Sequence, residues 1–584
     1  MRTFFKIFFA SFLALVIFTV IGVMTLLYMI GTAGPAKPVI GSKGVLVLDL
    51  GVTYKEQGHD NPLNAITGDI SSDVPGLYDA VRMLHYAKYD STVKGLYIKA
   101  GMNSNGFATS EELRQAVLDF KQSKKFVIAY GDVFSEKDYY VATAADKIYT
   151  NPNGGVEWDG FSAQLYFLKG LLDKLEIQPE IFYAGKFKSA TEPFRVTQMT
   201  DANRLQTTVW LGDLYSNFLL AASAARKIDT AQLHQWANEG TIQTANDALT
   251  HNLVDGLKYD DEITAELLKN TGKTDDQEVN FIALGKYEKA VDFTQNGDDK
   301  IAIVYAQGDI VGGEGKEEEI GGETFIKLLR KVRLDKEVKA IVFRVNSPGG
   351  SSLASDEIWR EITLAKKVKP VVVSMGDYAA SGGYYISCNA DSIFADPGTI
   401  TGSIGVFSML TNMQNFFKNK LGVTFDGVKT AQYADMGSAH RPLTDMEKKF
   451  IQADVDTIYA KFKGRVADGR KKDVVYIDSI AQGHVWTGQR AIGLGLVDKI
   501  GTLQDAVYCA ARMAKSNSYS IKEYPETKFS LQELIRKTFT NSIKVDAIKE
   551  QVGDKQYQML IQAQKLQQIM GVPQTRLPFA YDIK

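Results

Sequence analysis

The chain is written twice, and nothing else in it constrains the fold as much. Val93-Lys94-Gly95-Leu96-Tyr97-Ile98 is echoed by Val338-Lys339-Ala340-Ile341-Val342-Phe343. The same offset, without a gap, lays Ser110 and Glu112 on Ser355 and Glu357, and Gly131-Asp132 on Gly376-Asp377. It also lays Tyr139-Tyr140 on Tyr384-Tyr385, Ala145-Asp146 on Ala390-Asp391, and Pro152 on Pro397. After a small shift, residues 244–255 match residues 487–498. Such self-similarity marks a duplication, which decides the architecture before any single residue does. Two homologous domains are expected, residues 40–275 and 298–520, both of ordinary domain size. The polar stretch 292–300 reads as their linker.

Each copy opens on a β-rich run, Gly44-Val45-Leu46-Val47-Leu48 or Ile301-Ala302-Ile303-Val304-Tyr305. In copy two a helix-period segment follows around Phe325 to Leu329, then a strand over 340–345, a loop, a helix over 355–367 and a strand over 370–374. Strands alternating with helices predict an α/β fold with largely parallel strands. Unbroken apolar runs such as Val371-Val372-Val373 predict strands buried on both faces. The extension 521–584 is rich in Gln and Lys and reads as helical, for example over 531–539 and 544–570.

The N-terminal segment 1–34 has another character. Arg2 and Lys6 precede an almost unbroken apolar run over residues 7–30. About 20 apolar residues suffice to span a bilayer core, whereas a cleavable signal carries only about 7–15. An uncleaved transmembrane anchor is expected, with Thr32-Ala33-Gly34 leaving a cleavage option. The leading positive charges should stay inside, placing the rest of the chain outside, in the periplasm of a bacterium with two membranes. Lys+Arg number 67 against 69 Asp+Glu, so no strongly basic face invites nucleic acid. The 6 histidines show no metal-ligand spacing, and Cys388 and Cys509 read as two buried thiols rather than a disulfide framework.

Three stretches can carry chemistry. Residues 376–385, GDYAASGGYY, follow a buried strand and surround Ser381 with small residues. That allows close approach of a substrate backbone, although the local reading of Ser381 alone is an N-cap after a Gly-rich turn. Residues 346–352, NSPGGSS, end another strand, and consecutive glycines can aim N–H groups at an anion or carbonyl oxygen. Residues 184–194, AGKFKSATEPF, hold Lys186 and Lys188. A surface lysine is ordinarily solvated, and it serves as a base only if burial lowers its pKa. The repeat comparison decides among these readings. Ser381 aligns with Glu136, Gly382-Gly383 with Lys137-Asp138, and Gly349-Gly350 with Ser104-Asn105. Residues 431–435, the counterpart of the Lys188 region, contain no lysine. Each copy keeps what the other lacks, which suits one shared site.

The set GDYAASGGYY, NSPGG, FKSATEP, TGSIGVF (401–407) and VWTGQRAIGLGLVD (485–498) resembles the long, duplicated form of the bacterial signal peptide peptidase A family, also called protease IV. The resemblance covers nearly the whole chain. It implies tandem crotonase-like domains related to the Clp protease subunit, and a Ser/Lys dyad with Ser381 as nucleophile and Lys188 as base. It further implies assembly as a ring or bowl, commonly a homotetramer, and substrates that are released signal peptides and other unfolded peptides. On that mechanism Gly350 (or Gly349) and Gly382 would hold the oxyanion, and Ser403 would orient the lysine or serve as a turn. No cofactor or metal is required. Burial of Lys188 is expected on assembly. The rival readings are a crotonase-fold acyl-CoA hydratase or isomerase and a catalytically inactive membrane-tethered scaffold.

Overall fold

The computed structural model describes residues 2–32, 37–58, 73–274, 277–526, 571–577 and 582–583. In the first repeat, β1 (Gly44–Asp49), β2 (Val93–Lys99), β3 (Phe126–Phe134), β4 (Lys147–Val156), β7 (Gly256–Leu257) and β8 (Asn280–Ala283) form one sheet. Its order is β7-β4-β3-β2-β1-β8, and its pairings are parallel. The second repeat contributes β9 (Asp299–Gln307), β12 (Val338–Ser347), β14 (Val371–Ala380), β15 (Ser392–Ala395), β19 (Lys499–Ile500) and β20 (Tyr519–Tyr524). These run β19-β15-β14-β12-β9-β20, again parallel. Strand for strand, the two orders are the same. β16 (Ile400–Gly402) extends the second sheet along β14, and β18 (Val485–Thr487) pairs antiparallel to β16.

The apolar pattern explains these elements. Val371, Val372 and Val373 are fully buried, because helices cover both faces of the parallel strands. The helix Phe107–Lys121 turns Leu113, Val117 and Phe120 inward, and its counterpart Ser352–Lys366 turns Ile358, Ile362 and Ala365 inward. Both sets follow the i, i+4, i+7 spacing of one helix face. The duplication reaches individual hydrogen bonds. Tyr139 donates to the Leu253 carbonyl at 2.6 Å and Tyr384 to that of Leu496 at 2.9 Å. Tyr140 donates to Glu111 at 2.5 Å and Tyr385 to Asp356 at 2.7 Å.

A further sheet joins the repeats. It contains β6 (Gln178–Ala184), β10 (Asp309–Val311), β11 (Glu319–Gly321), β13 (Gly349–Ser351), β17 (Val406–Asn412) and β21 (Gln574–Arg576), in the order β11-β10-β13-β21-β17-β6. β6 comes from the first repeat and pairs antiparallel with β17 of the second, from Val406↔Ala184 to Asn412↔Gln178. A short pair, β5 (Ala163–Gln164) with β22 (Asp582–Ile583), lies apart. Arg344 of the second repeat is fully buried among carboxylates of the first. Its Nε donates to Glu56 at 2.7 Å, and its Nη2 lies 2.7 Å from Glu112 in ion-pair rather than hydrogen-bond geometry.

Some expectations change. The N-terminal helix runs over Arg2–Thr32, but among the described residues no helix is long and apolar enough to cross a membrane. Side chains beyond Gly22 in that helix lie outside the described residues. The C-terminal extension begins inside β20, which crosses residue 520 and completes the edge of the second sheet. The helices expected over 531–539 and 544–570 lie outside the described residues, while 574–576 form a strand. Cys388 and Cys509 are free and buried.

Candidate active site

β14 is longer than its apolar run, and its end at Ala380 delivers Ser381 to the start of the short helix Gly382–Ser387. Ser381 stands at φ 55°, ψ −112°, a region non-glycine residues avoid at a cost of order 1–3 kcal/mol. Its N–H donates to the Gly402 carbonyl and its own carbonyl accepts from Tyr385 N, both at 2.8 Å. The side chain makes no capping bond. The N-cap reading therefore fails for the hydroxyl, which is free for another partner.

That partner comes from the first repeat. Lys188 Nζ lies 2.8 Å from Ser381 Oγ. β6 ends at Ala184, and Gly185 turns the chain at φ 110°. The Phe187 N–H then donates to the Gln482 carbonyl at 2.7 Å. Buried Gln206 ties the loop down: Nε2 donates to Phe187 O and Ser189 Oγ, each at 3.1 Å, while Oε1 accepts from Val485 N at 3.2 Å. Two glycines make room for the lysine. A Cβ on Gly483, itself at φ +74°, would lie 2.7 Å from Lys188 N; one on Gly405 would lie 3.1 Å from Lys188 Cδ.

Lys188 is 1% exposed and Ser381 fully buried. Beyond Ser381, Nζ donates to Ser403 Oγ at 3.1 Å and to the Ser403 carbonyl at 3.3 Å. Burial of the ammonium, with no carboxylate to offset it, drives the lysine pKa well below its ordinary value. The neutral amine can then accept a proton from Ser381. Ser403 is itself held at φ 50° by its N–H bond to His484 O, 2.7 Å. Gly349 and Gly350 take φ 99° and 158°, and a Cβ on Gly349 would come 2.6 Å from Gly382 N. The three glycines thus line one narrow place beside the serine. The Gly349 N–H already donates to Ser347 Oγ at 3.2 Å, which leaves Gly350 and Gly382 as the candidate donors.

In the first repeat, the position of Ser381 is taken by Glu136, at the start of the helix Glu136–Ala142. Its Oε1 accepts from Gly160 N at 3.0 Å, and burial pushes the carboxyl up to about 8. Residues 431–435 of the second repeat lie in a surface turn, with Ala431, Gln432 and Ala434 exposed. The structure brings Lys188, Ser381, Ser403, Gly349, Gly350 and Gly382 together and leaves Lys186 exposed. The reading of the sequence missed Gly405, Gly483 and Gln206. Gly405 was signalled by its place inside TGSIGVF, but Gln206 sits on a helix among other polar residues and gave no local sign.

This chain belongs to peptidase family S49, whose model matches it twice, at residues 119–273 and 363–517. The duplicated fold and the buried serine are those of a serine protease, and the similar curated proteins are proteases too. Protease 4 of Salmonella typhi is 37% identical over 523 residues, covering 86% of this chain and 83% of that protein. Protease 4 of Haemophilus influenzae is 35% identical, covering 86% and 85%. The chloroplastic serine protease SPPA of Arabidopsis thaliana is 32% identical, covering 79% and 69%.

Proposed function

We propose that the chain is a membrane-anchored serine endopeptidase that uses a Ser381/Lys188 dyad to degrade released signal peptides and other unfolded peptides. The observation that carries this reading is the 2.8 Å contact between Lys188 Nζ and Ser381 Oγ in a buried setting without a carboxylate. Neutral Lys188 takes the Ser381 proton as Oγ attacks a peptide carbonyl. Gly350 and Gly382 N–H groups hold the oxyanion, each such donor being worth ~3 kcal/mol. The lysine, steadied by Ser403, returns the proton to the leaving amine, and water releases the acyl-enzyme.

The matching strand orders of the two repeats support a crotonase-like frame for each. The apolar run 7–30 and the exposure of Phe4, Ile7, Phe8, Leu13 and Ile17 along the N-terminal helix favour anchoring in a bacterial inner membrane, with both repeats in the periplasm. Assembly as a homotetramer and the signal-peptide substrate rest on the motif resemblance. Fluorophosphonate labelling tests the core of the reading. Wild type should label at Ser381, and Lys188→Ala should label far more slowly. Equal labelling of both would remove Lys188 as the base.

A further inference from the structure

Lys188 and Ser381 come from different repeats, so their 2.8 Å contact depends on how one repeat sits on the other. The strand that leads to the serine is held by the first repeat at a bulge. β14 follows β12 up to Val345↔Met375 and pairs with it again at Ser347↔Ala379. Between these pairs β12 has Asn346 alone, whereas β14 has Gly376, Asp377 and Tyr378. A bulge of this kind bends a strand and re-aims the side chains that follow. Asn346 ties it to the first repeat: its Oδ1 accepts from Tyr378 N at 3.1 Å, and its Nδ2 donates to Glu56 at 2.8 Å.

The middle residue of the bulge, Asp377, meets the start of the first-repeat helix Phe107–Lys121. Its Oδ1 accepts from Ala108 N at 2.9 Å and from Thr109 N at 3.1 Å, and its Oδ2 accepts from Thr109 Oγ1 at 2.7 Å. These are the bonds of a helix N-cap, made by a residue of the other repeat. The helix has no side-chain cap of its own, since it begins after Gly106. A Cβ on Gly106 would lie 2.1 Å from Asp377 Oδ1, so the missing side chain is what admits the carboxyl. The counterparts make no such exchange. The helix Ser352–Lys366 is capped by its own Ser351, which accepts from Ala354 N at 3.4 Å. Asp132, which aligns with Asp377, is exposed and accepts from Asn151 Nδ2 at 3.0 Å and Tyr130 Oη at 3.3 Å, both of its own repeat.

Beyond the bulge, Tyr378, Ala379 and Ala380 pair with Ile400, Thr401 and Gly402 of β16. Ser381 follows β14, Ser403 follows β16, and the Ser381 N–H donates to Gly402 O at 2.8 Å. Both serines that meet Lys188 Nζ therefore hang on one two-strand unit, whose first pair adjoins Asp377. We propose that Asp377 is a positioning residue: by capping the helix Phe107–Lys121 across the repeat boundary, it sets Ser381 and Ser403 within reach of Lys188. It acts through the backbone of β14, and the inference rests on the dyad reading above.

Steady-state kinetics on a soluble fluorogenic peptide tests this, with kcat expressed per folded enzyme well below the melting temperature of each variant. Asp377→Ala should lower kcat about 30-fold and leave KM within about twofold, because the serine is misplaced while the peptide still binds. Asp377→Asn keeps an acceptor for Ala108 N and Thr109 N and should recover most of the loss, and Asp132→Ala should match wild type. Gly106→Ala displaces the same carboxyl from the other side, and it should reproduce the loss even if Asp377→Ala does not fold. Added to Asp377→Ala it should cost nothing further, since no carboxyl remains to be displaced. Full kcat in Asp377→Ala or Gly106→Ala, an Asp377→Asn no better than Asp377→Ala, or additive losses in the double variant would overturn the positioning role. Lys188→Ala, assayed alongside, keeps the two readings apart. Wild-type turnover in Lys188→Ala would overturn the dyad and this inference with it, whereas an inactive Lys188→Ala beside an unimpaired Asp377→Ala removes the positioning role alone.

Discussion

Lys188 is a cation-forming group placed where a cation is costly, and its pH behaviour follows from that. Its folded pKa is depressed, so the neutral form, the one the proposed dyad needs, grows as pH rises through that value. The kcat/KM for a soluble peptide ester should rise with loss of one proton from mildly acidic to mildly alkaline pH. The linkage to stability has a definite sign. Below about 10.4 the unfolded lysine is charged while the folded one resists charging, so burial costs stability there, and the cost fades as pH approaches the unfolded pKa. Lys188→Met should abolish activity yet melt higher than wild type at pH 7, with the gap closing near pH 10. Lys188→Ala and Ser381→Ala should each remove hydrolysis, while exposed Lys186→Ala should stay near wild type. The glycine clearance is equally testable. Gly483→Ala, facing the Lys188 backbone at 2.7 Å and φ +74°, should cost about 100-fold in kcat/KM through misplacement of the amine. Ser381 and Lys188 were legible because the repeats could be compared position by position. Gly483 was not, since a glycine that clears space for a distant side chain looks like any turn glycine.

Among elements, the helix start at Glu136 shows what the first repeat holds at the position of Ser381. Its buried carboxyl, at about 8, favours the protonated form, so the stability it lends is present below pH ~4.3 and is lost as pH rises towards 8. Glu136→Gln keeps an acceptor for Gly160 N. It should leave the melting temperature unchanged at pH 4 and raise it at pH 9, as calorimetry would show. The parallel sheets were legible from runs like Val371-Val372-Val373, and the helices from their i, i+4, i+7 spacing. The sheet of β6, β17 and β21 was not. Antiparallel pairing between segments far apart in sequence leaves no periodic trace, and Gln574-Thr575-Arg576 has no apolar alternation to announce a strand. Yet β6 is what carries the lysine loop to the serine, so the least legible elements are those that assemble the site.

At the scale of the molecule, the two repeats are locked by buried charge as well as by the shared sheet. Arg344→Met would leave Glu56 and Glu112 buried and unpaired, a loss of about 3–5 kcal/mol. Burial already raises the Glu112 carboxyl, so the deficit should shrink at acidic pH, where protonation removes the stranded charge. Denaturant midpoints at pH 5 and pH 8 would show it. The expectation that Lys188 needs assembly to be buried is corrected here: a single chain already buries it. Dilution should therefore leave activity intact, whereas residues 40–275 or 298–520 alone should be inactive. The anchor reading predicts that full-length protein sediments with membranes and that a chain starting near Lys37 does not.

The lysine and the serine are 193 positions apart in the chain. At a synthesis rate of about 5–20 residues per second, the ribosome needs on the order of 10–40 s to travel from one to the other. During that interval the nascent protein carries Lys188 without Ser381. The pair forms later still, once the second repeat has folded back on the first and β17 has met β6. A newborn chain thus completes its buried Lys188–Ser381 contact only after both repeats have left the ribosome.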